Sequence, residues 1–429
     1  MMRVLYDECR LSWRLATMRK ALLLVLLFNA GQTVHAAGNL KLPSGPEGLG
    51  RFGAYYENLS FSPEWDAAWR IGPKADVVVR FDTDSQRLVF WHGANYIPCW
   101  VNDKGVWYSN GAVVREGAGP HQDRICRYSF VSVVESSDAR VVVRWRYAPV
   151  DKEGKLINTD PMTNWNDWVD EYYTIYPDAT GVRHITLHST NWDQQFWCQQ
   201  SIIISQPAQT SVEARVTDFE TAAGKKNIAV VDVPGSKPFY VVPTKGNITR
   251  SLIPDSWTDW PVSGAAQKPI NRFLSSIMWE PCEEDRTSKS WIMLVGLSDG
   301  KEDEVKSLAQ SWLSAPKLDV SGKDFSSSGY DAREKAYQIT CEKPGEPSSL
   351  KLTIQGSAAS PVVNPAFVIK GWGKTEALVK INGNLGERGK DFRYGFRKTT
   401  TVSDLIVWVP FKFEKPVSIE VRPVGGRKE

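Results

Sequence analysis

The sequence lacks the short motifs that identify several common enzyme classes. It contains no G-x-S-x-G nucleophile elbow, no H-E-x-x-H zinc motif and no Walker loop. An excess of either charge is also missing, because 52 basic residues face 49 acidic ones and the formal net charge is +3. This balance excludes the overall basicity of a non-specific nucleic-acid binder. We therefore expect no nucleic-acid partner.

Cysteine is scarce and poorly placed for metal binding. Five cysteines follow the amino-terminal segment: Cys99, Cys126, Cys198, Cys282 and Cys341. No C-x-x-C pair offers a zinc site, and an odd number of distant cysteines does not form a small disulfide framework. Two alternatives stay open for Cys99 and Cys126, a disulfide in an oxidising compartment or buried free thiols. No metal site is predicted, and the sequence leaves open whether a structural calcium ion is bound.

No apolar run reaches the roughly 20 residues that a membrane-spanning helix requires. The run in "ALLLVLLFNAG" follows the basic pair Arg19-Lys20, and the small residues Val34 and Ala36 come shortly after it. A basic start, a short apolar run and a cleavage site of small residues are typical of a secretory signal. We predict that residues 1–37 are a signal peptide with an over-extended start. The mature protein is then secreted or periplasmic, with no membrane partner.

Short β-branched or aromatic runs dominate the rest of the chain. Examples are "ADVVVRF", "ARVVVRWRY", "VRHITLHS" and "SWIMLVGL", and turn-forming stretches such as "VNDKGV" and "DKEGK" separate such runs. A spacing of about ten residues between runs is typical of a sandwich or barrel, not of βαβ units. We predict an all-β protein, with a large antiparallel β-sandwich domain over 38–325 and a small accessory β-sandwich domain over 330–429.

One segment departs from the β pattern. "KEDEVKSLAQSWLSAPKL" has apolar residues at helical spacing: Val305, Leu308, Ala309, Trp312 and Leu313. It begins with acidic residues and ends at a proline, so it predicts one amphipathic helix over 301–314. The polar, serine-rich stretch that follows, "DVSGKDFSSSGYDAREKAY", is predicted to be a linker between the two domains.

Tryptophan is present in clear excess, with 18 in the chain. Such an excess suits proteins that stack on sugar rings, but large β-cores also use tryptophan. The stretch "LVFWHGANYIPCWVNDKGVWYSN", Leu88 to Asn110, combines tryptophans with a histidine and asparagines. A core would have to satisfy those polar groups, at a cost of about 1–3 kcal/mol for each one left unpaired. We therefore interpret the stretch as one wall of a binding cleft.

Several strands carry titratable or aromatic residues on one face, because alternate residues of a strand point to opposite faces. In "ARVVVRWRY" Arg144 and Arg146 share a face, and in "GVRHITLHST" His184 and His188 do the same. The two histidines lie about 13 Å apart along an extended strand, so they cannot bind one metal ion. A solvated or structural role is one alternative for each residue. A cleft for an anionic, ring-shaped ligand is the other.

Several blocks of the sequence resemble a family of secreted bacterial proteins. "FGAYYENLSFSPEWDAAWRIGPKADVVVRFD", "CRYSFVSVVESSDARVVVRWRYAPVD" and "WVDEYYTIYPDATGVRHITLHS" are similar to polysaccharide lyases of the ulvan lyase type. The carboxy-terminal "NPAFVIKGWG" and "DLIVWVP" resemble the accessory domain of the same proteins. The resemblance implies β-elimination in a uronic-acid polysaccharide, with that anionic polysaccharide as the partner. We expect a monomer.

Such an elimination needs a base, an acid for the leaving oxygen and a group that neutralises the substrate carboxylate. The stretch at 88–110 and the nearby "PHQDRICRY" together contain all of these residue types. The predicted catalytic residues are His92, Tyr96, His121 and Arg124. The predicted substrate-binding residues are Trp91, Trp100, Trp107, Tyr108, Asn110, Arg127, Arg144, Arg146, Tyr173, His184 and His188.

Two other functions stay open. A glycoside hydrolase on a similar sandwich could use a carboxylate pair such as Asp66 and Glu171, for which the separation of the two carboxylates is the deciding quantity. A secreted glycan-binding protein without catalysis is the other alternative. Unsaturated products identify a lyase, new reducing ends without unsaturation identify a hydrolase, and a binding protein releases neither.

Overall fold

The computed structural model of the protein describes most of the chain after residue 50. The described residues are 40–41, 51–59, 74–82, 85–109, 111–115, 123, 126–151, 153–189, 196–203, 215–220, 226–245, 272–276, 282–299, 302–322 and 324–425. The predicted signal peptide lies outside them. Nearly all of the regular structure in these residues is β, which confirms the predicted all-β fold. No helix in the described part is long and apolar enough to cross a membrane.

Eighteen strands precede the helix. They are β1 (Leu40–Lys41), β2 (Gly53–Glu57), β3 (Asp76–Arg80), β4 (Arg87–Phe90), β5 (Pro98–Val101), β6 (Trp107–Ser109), β7 (Val113–Arg115), β8 (Ser129–Ser136), β9 (Val141–Tyr147), β10 (Trp168–Ile175), β11 (Thr180–His188), β12 (Phe196–Ile203), β13 (Arg215–Glu220), β14 (Lys226–Asp232), β15 (Phe239–Pro243), β16 (Arg272–Ser276), β17 (Glu283–Glu284) and β18 (Ser288–Leu297). A single 3-10 turn, His92–Ala94, lies between β4 and β5.

Two of the sheets share one apolar core. Strands β2 to β6 pair in chain order, and a nine-stranded sheet runs β13-β14-β15-β18-β11-β10-β9-β8, with β17 paired to β18. Alternation in the sequence decides which residues enter this core. In β9, for example, Val141, Val143, Trp145 and Tyr147 are buried and the residues between them are half-buried. A three-stranded sheet, β16-β12-β7, completes this part of the chain.

The predicted helix is confirmed as α1 (Glu302–Leu313). Its first turn is acidic, which favours the amino-terminal end of a helix dipole. Its apolar stripe, including Leu308 and Trp312, is buried against Val182 and Leu294 of the nine-stranded sheet. The helix therefore covers part of the sheet face that points away from the main core.

Twelve further strands follow the helix. They are β19 (Leu318–Ser321), β20 (Phe325–Asp331), β21 (Ala336–Cys341), β22 (Leu350–Ile354), β23 (Val362–Val363), β24 (Ala366–Lys370), β25 (Ala377–Ile381), β26 (Asn384–Leu385), β27 (Arg393–Arg397), β28 (Asp404–Trp408), β29 (Lys412–Phe413) and β30 (Val417–Pro423). Two five-stranded sheets, β19-β22-β30-β25-β26 and β20-β21-β24-β28-β27, enclose a second apolar core. Strands β21 and β24 run parallel.

The serine-rich stretch is not a linker, contrary to the sequence-based prediction. It forms β20, which pairs with β21 from Phe325 opposite Cys341 to Asp331 opposite Ala336. Its serines are largely exposed at the sheet edge, so a polar composition is compatible with a paired backbone. The predicted boundary at 325–330 therefore falls inside a strand. The division into two domains remains a prediction.

The cysteines of the described residues form no disulfide. Cys99, Cys126 and Cys341 are buried free thiols, and Cys282 is a half-buried one. Burial raises the pKa of the Cys99 thiol to about 12, so this group stays protonated at neutral pH. The structure thus favours buried thiols over the Cys99–Cys126 disulfide that the sequence left open.

Candidate functional site

The tryptophan-rich stretch lies in the core and is not an open cleft wall. Trp100 and Tyr108 have no exposed surface, and Trp91 is buried as well. Trp100 lies near Phe81 and Phe239, with its ring 6.2 Å from the Phe81 ring between centroids. A pyranose ring needs an accessible aromatic face for stacking. The prediction that these three residues bind sugar is therefore wrong, and only Trp107 is half-buried.

Several polar groups of this stretch have partners inside the protein, whereas the buried atoms Asn95 Oδ1, Trp100 Nε1 and His92 Nε2 have none among the described residues. The side-chain nitrogen Nδ2 of Asn102 donates to the Lys237 carbonyl oxygen over 3.1 Å. The side-chain oxygen Oδ1 of Asn102 accepts from the Val106 backbone amide over 2.9 Å. The Tyr96 hydroxyl donates to the Ala75 carbonyl oxygen over 3.0 Å. Burial raises the pKa of Tyr96 above its ordinary value. The sequence treated these groups as frustrated, but Asn102 and Tyr96 find partners within the stretch and in the segments around Ala75 and Lys237.

His92 is part of a buried pair with Asp76. One carboxylate oxygen of Asp76 lies 2.6 Å from His92 Nδ1 and accepts the His92 backbone amide over 2.7 Å. The other oxygen accepts the Leu59 amide over 2.8 Å. His92 is 3% exposed. Its Nε2 atom is buried and has no hydrogen-bond partner in the described part of the chain. These contacts fix the orientation of the imidazole ring, but the buried ring is not accessible to a polymer.

The other predicted catalytic residues cannot be placed beside His92. His121, Arg124 and Asn110 lie outside the described residues. Arg127 is exposed, and its guanidinium lies 5.8 Å from the centre of the Tyr128 ring. Of the predicted residues that the structure describes, Trp91 lies with its ring 6.0 Å from the His92 ring, and the Tyr96 hydroxyl is hydrogen-bonded to the carbonyl of Ala75, next to Asp76.

Glu171 belongs to a fully buried network on the inner face of the nine-stranded sheet. Its carboxylate accepts two hydrogen bonds from Arg183, each over 2.8 Å. The hydroxyls of Tyr147 and Tyr173 donate to the same carboxylate over 2.9 and 2.8 Å. Glu171, Arg183 and Tyr173 have no exposed surface. Tyr173 is therefore not a substrate-binding residue, and Glu171 is not accessible as half of a glycosidase pair.

The opposite, outer face of the same sheet carries a different set of side chains. Strand register places Arg144 opposite Tyr172, and Tyr172 opposite His184. The same register pairs Arg146 with Asp170 and Trp168 with His188. We call the following seven residues the outer-face cluster: Arg144, Arg146, Trp168, Asp170, Tyr172, His184 and His188. All but Asp170 are half-buried or exposed, although the Nε2 atom of His184 is itself buried and has no hydrogen-bond partner in the described part of the chain.

Asp170 contacts both arginines and His188 of the outer-face cluster. Its carboxylate lies 2.7 Å from Arg144 Nη2, 3.5 Å from His188 Nε2 and 3.9 Å from Arg146 Nη1. Burial alone would raise the pKa of Asp170. The hydrogen bonds from His188 and Arg144 and the charge of Arg146 outweigh burial, so the net pKa lies below its ordinary value. Asp170 is thus an ionised carboxylate that contacts two guanidinium groups and the His188 imidazole.

Aromatic rings hold both arginines on the outer face. The Arg146 guanidinium lies 5.0 Å from the centre of the Trp168 ring, and that of Arg144 lies 5.9 Å from the centre of the Tyr172 ring. Cation–π contacts of this kind orient a guanidinium without using its N–H donors. Among the described residues, the ion pair of Arg146 with Asp170 is long, at 3.9 Å, whereas Arg144 lies 2.7 Å from the same carboxylate. The donors of Arg146 are therefore less engaged than those of Arg144.

His184 is suited to remain neutral at physiological pH. Burial is the largest cause that lowers its pKa from the ordinary value of 6.5, and the positive charge of Arg333 lowers it further. The carboxylates of Glu283 and Asp331 oppose this shift without reversing it. A neutral imidazole can accept a proton, so His184 has the protonation state that a general base requires.

The sequence identified part of the outer-face cluster and missed the rest. Arg144, Arg146, His184 and His188 were predicted substrate-binding residues, and the structure brings them together. Trp168 and Tyr172 were not predicted as binding residues. Strand alternation contained the signal for both, because each lies two residues from Asp170 on the same face.

A separate cavity of about 540 Å³ lies between α1, the strand ends of the first part of the chain and the segment around Asn364. The charged residues lining it are Asp82, Asp178, Asp299, Glu304, Lys237 and Lys412. Carboxylates outnumber lysines in that lining, which disfavours an anionic polymer. No group of three or more histidine, cysteine or acidic residues in the described ranges is arranged to hold a metal ion.

Comparisons with known proteins leave the function open. No protein-family model matches the chain, and no curated protein sequence matches it. Among solved structures, the crystal structure of heparinase III is similar, with 9% sequence identity and a TM-score of 0.28. The match covers 73% of this chain and 42% of that chain, so this chain spans less than half the length of that protein. A likeness of this size carries no information about function.

Proposed function

We propose that the protein is an exported polysaccharide lyase that cleaves an ulvan-like, uronic-acid-containing polysaccharide by β-elimination. The reaction removes the proton at C5 of the uronate, breaks the C4–O bond and leaves a C4=C5 double bond. The departing oxygen takes up a proton. Three groups are needed: a base, an acid and a cation that stabilises the carboxylate as negative charge develops on it.

The observation that carries the proposal is the row Arg144–Tyr172–His184 on the outer sheet face, with Arg146 in the neighbouring row. Residues directly opposite on adjacent antiparallel strands have Cβ atoms about 4.5–5.5 Å apart. Tyr172 and His184 are such a pair. The row therefore places a phenol, a neutral imidazole and a guanidinium side by side. These are the residue types that the elimination requires, on one surface.

Each member of the cluster has a role in this proposal. His184 accepts the C5 proton, because its lowered pKa keeps the imidazole neutral. Tyr172 donates its hydroxyl proton to the leaving oxygen. Arg146 binds the uronate carboxylate, since its donors are less engaged than those of Arg144. Arg146 lies on β9 and His184 on β11, two strands away and two residues further along the sheet. Their Cα atoms are then about 12 Å apart, a distance that the long arginine side chain and a sugar ring can span.

His92 is the competing candidate for the base. Its contact with Asp76 resembles the arrangement that orients a catalytic histidine, because the carboxylate holds Nδ1 and leaves Nε2 unpaired. Its burial argues against contact with a polymer. The two candidates make different predictions for single substitutions, and one assay separates them.

The test measures unsaturated product by its ultraviolet absorbance, with a panel of uronate polysaccharides that includes ulvan. We expect activity in the parent protein and a loss of roughly 10²–10⁴ in kcat for His184→Ala, the usual worth of a general base. The matched control is Ser132→Ala, an exposed change opposite Arg144 on the same face, which should retain activity. Melting temperatures of both variants should equal that of the parent.

Three results would overturn this assignment. Loss of activity in His92→Ala with full activity in His184→Ala would make the buried pair the catalytic site. New reducing ends without unsaturation would identify a hydrolase, and no product from any uronate polymer would remove the lyase function altogether.

A further inference from the structure

The connection between β9 and β10 ends in a well-formed turn. The Asp160 amide donates to the Trp165 carbonyl oxygen over 2.7 Å, and the Asn164 amide donates to the Asp160 carbonyl oxygen over 2.9 Å. The Asp160 carboxylate accepts the amides of Met162 and Thr163 over 2.8 and 2.9 Å. Backbone and side chain therefore both close the turn, as in other aspartate-led turns.

This turn displays apolar side chains in water. Met162 is 91% exposed and Trp165 is 63% exposed. Phe130 and Trp165 are the exposed phenylalanine and tryptophan side chains of the described part of the chain. Tryptophan usually buries most of its large apolar surface in a folded protein. An ordered turn that holds an indole outward, instead of folding it inward, indicates a surface that contacts a ligand.

Both exposed aromatic residues lie at the same end of the outer-face cluster. Phe130 pairs directly with Arg146 in the sheet register. Trp165 lies three residues before Trp168, which is at most about 10 Å along the chain. Trp168 in turn carries the Arg146 guanidinium over its ring. Aromatic surface and positive charge are therefore combined at the end of β9 and the beginning of β10.

Exposed aromatic rings beside a guanidinium group match the chemistry of an anionic polysaccharide. Pyranose rings present apolar C–H faces that stack on an indole, and an anionic polysaccharide adds carboxylates that pair with guanidinium groups. We propose that Trp165 is a stacking subsite for a second ring of an anionic polysaccharide whose neighbouring ring contacts Arg146 and Trp168. The inference rests on the proposed substrate class but not on the proposed elimination chemistry.

The test is binding, measured by affinity electrophoresis in gels containing pectate, alginate or ulvan, with dextran as the neutral polymer. Trp165→Ala should weaken retention by the uronate polymers roughly threefold to tenfold, the usual worth of an aromatic contact. Trp165→Phe should recover most of the loss, because a smaller ring still stacks. Met162→Ala, in the same turn but without a ring, should bind like the parent. Leu385→Ala, 64% exposed on β26, serves as a distant control.

The outcomes separate this inference from the proposed function. Weaker binding of Trp165→Ala by a protein that yields no unsaturated product supports the subsite and removes the lyase. Unsaturated product with unchanged binding and KM in Trp165→Ala supports the lyase and removes the subsite. Equal losses for Met162→Ala, equal retention by dextran, or no retention of the parent by any uronate polymer would each overturn the subsite.

Discussion

The buried Glu171–Arg183 pair gives the sharpest stability prediction. Glu171→Gln keeps the shape of the side chain and an oxygen that can still accept from Tyr147. It removes the negative charge that faces the Arg183 guanidinium over 2.8 Å. Both side chains have no exposed surface, so water cannot replace the lost charge. The substitution therefore leaves an uncompensated cation in the core.

The expected loss follows from that burial. Removal of one partner from a buried ion pair costs about 3–5 kcal/mol in the free energy of unfolding. For a folded unit of 150–250 residues, each kcal/mol lowers the melting temperature by about 2–4 °C, so we expect a decrease of roughly 6–20 °C. An exposed pair provides the control, because Glu153 lies 3.4 Å from Lys155 and both side chains are largely in water. Glu153→Gln should leave the melting temperature unchanged.

Thermal unfolding followed by circular dichroism measures both variants under the same conditions. The double variant Glu171→Leu with Arg183→Met should recover much of the loss, since replacing both charges with apolar groups removes the unpaired cation. A melting temperature for Glu171→Gln within about 2 °C of the parent would refute the electrostatic argument. If the parent released reducing ends by hydrolysis and Glu171→Gln abolished that release with an unchanged melting temperature, Glu171 would be a catalytic carboxylate instead.

Four further predictions follow from the described contacts. Because the pKa of His184 is lowered, the acidic limb of kcat/KM should lie below about pH 6.5, and a limb above pH 7 would contradict this. The free energy of unfolding should also decrease as the pH is lowered through that range, since the unfolded state binds the proton first. Asp76→Ala leaves the His92 backbone amide and imidazole ring without their acceptor, which should lower the free energy of unfolding by about 1–3 kcal/mol for each unpaired donor. Urea denaturation measures this loss, and an unchanged unfolding midpoint would show that the pair contributes nothing to stability. Arg146→Gln should raise KM and weaken its dependence on salt, and an unchanged dependence would assign Arg146 to a solvated face. Limited proteolysis should spare 325–331, because that backbone is paired, and cleavage there would restore the linker.

Local pattern was sufficient for the secondary structure. The β-branched runs and the helical spacing around Trp312 predicted the strands and α1, because propensity and periodicity act within a few residues. The serine-rich stretch was the exception. Its composition indicated a linker, but an edge strand with exposed serines satisfies the same composition when a neighbour pairs with its backbone.

Sequence alternation also separated the two faces of β9, β10 and β11, so it assigned Arg144 and His184 to faces correctly. It could not show which of those faces is buried. Trp100 and Tyr108 looked like sugar-binding residues because their burial depends on Phe239, more than a hundred residues away in the chain. Only the packing of one sheet on another decides such a question.

The sequence by itself determined an all-β chain, the helix at 302–313 and the chemical types available at its strands, because these depend on local spacing. The tertiary structure decided which residues meet. Strand register sets Tyr172 beside His184, and it sets Asp170 beside Arg144 and His188. A one-residue slip would move these side chains to the opposite face. The same pairing of distant segments gives His92 its carboxylate from Asp76, because contacts between strands depend on how the sheets assemble and leave no periodic trace in the sequence.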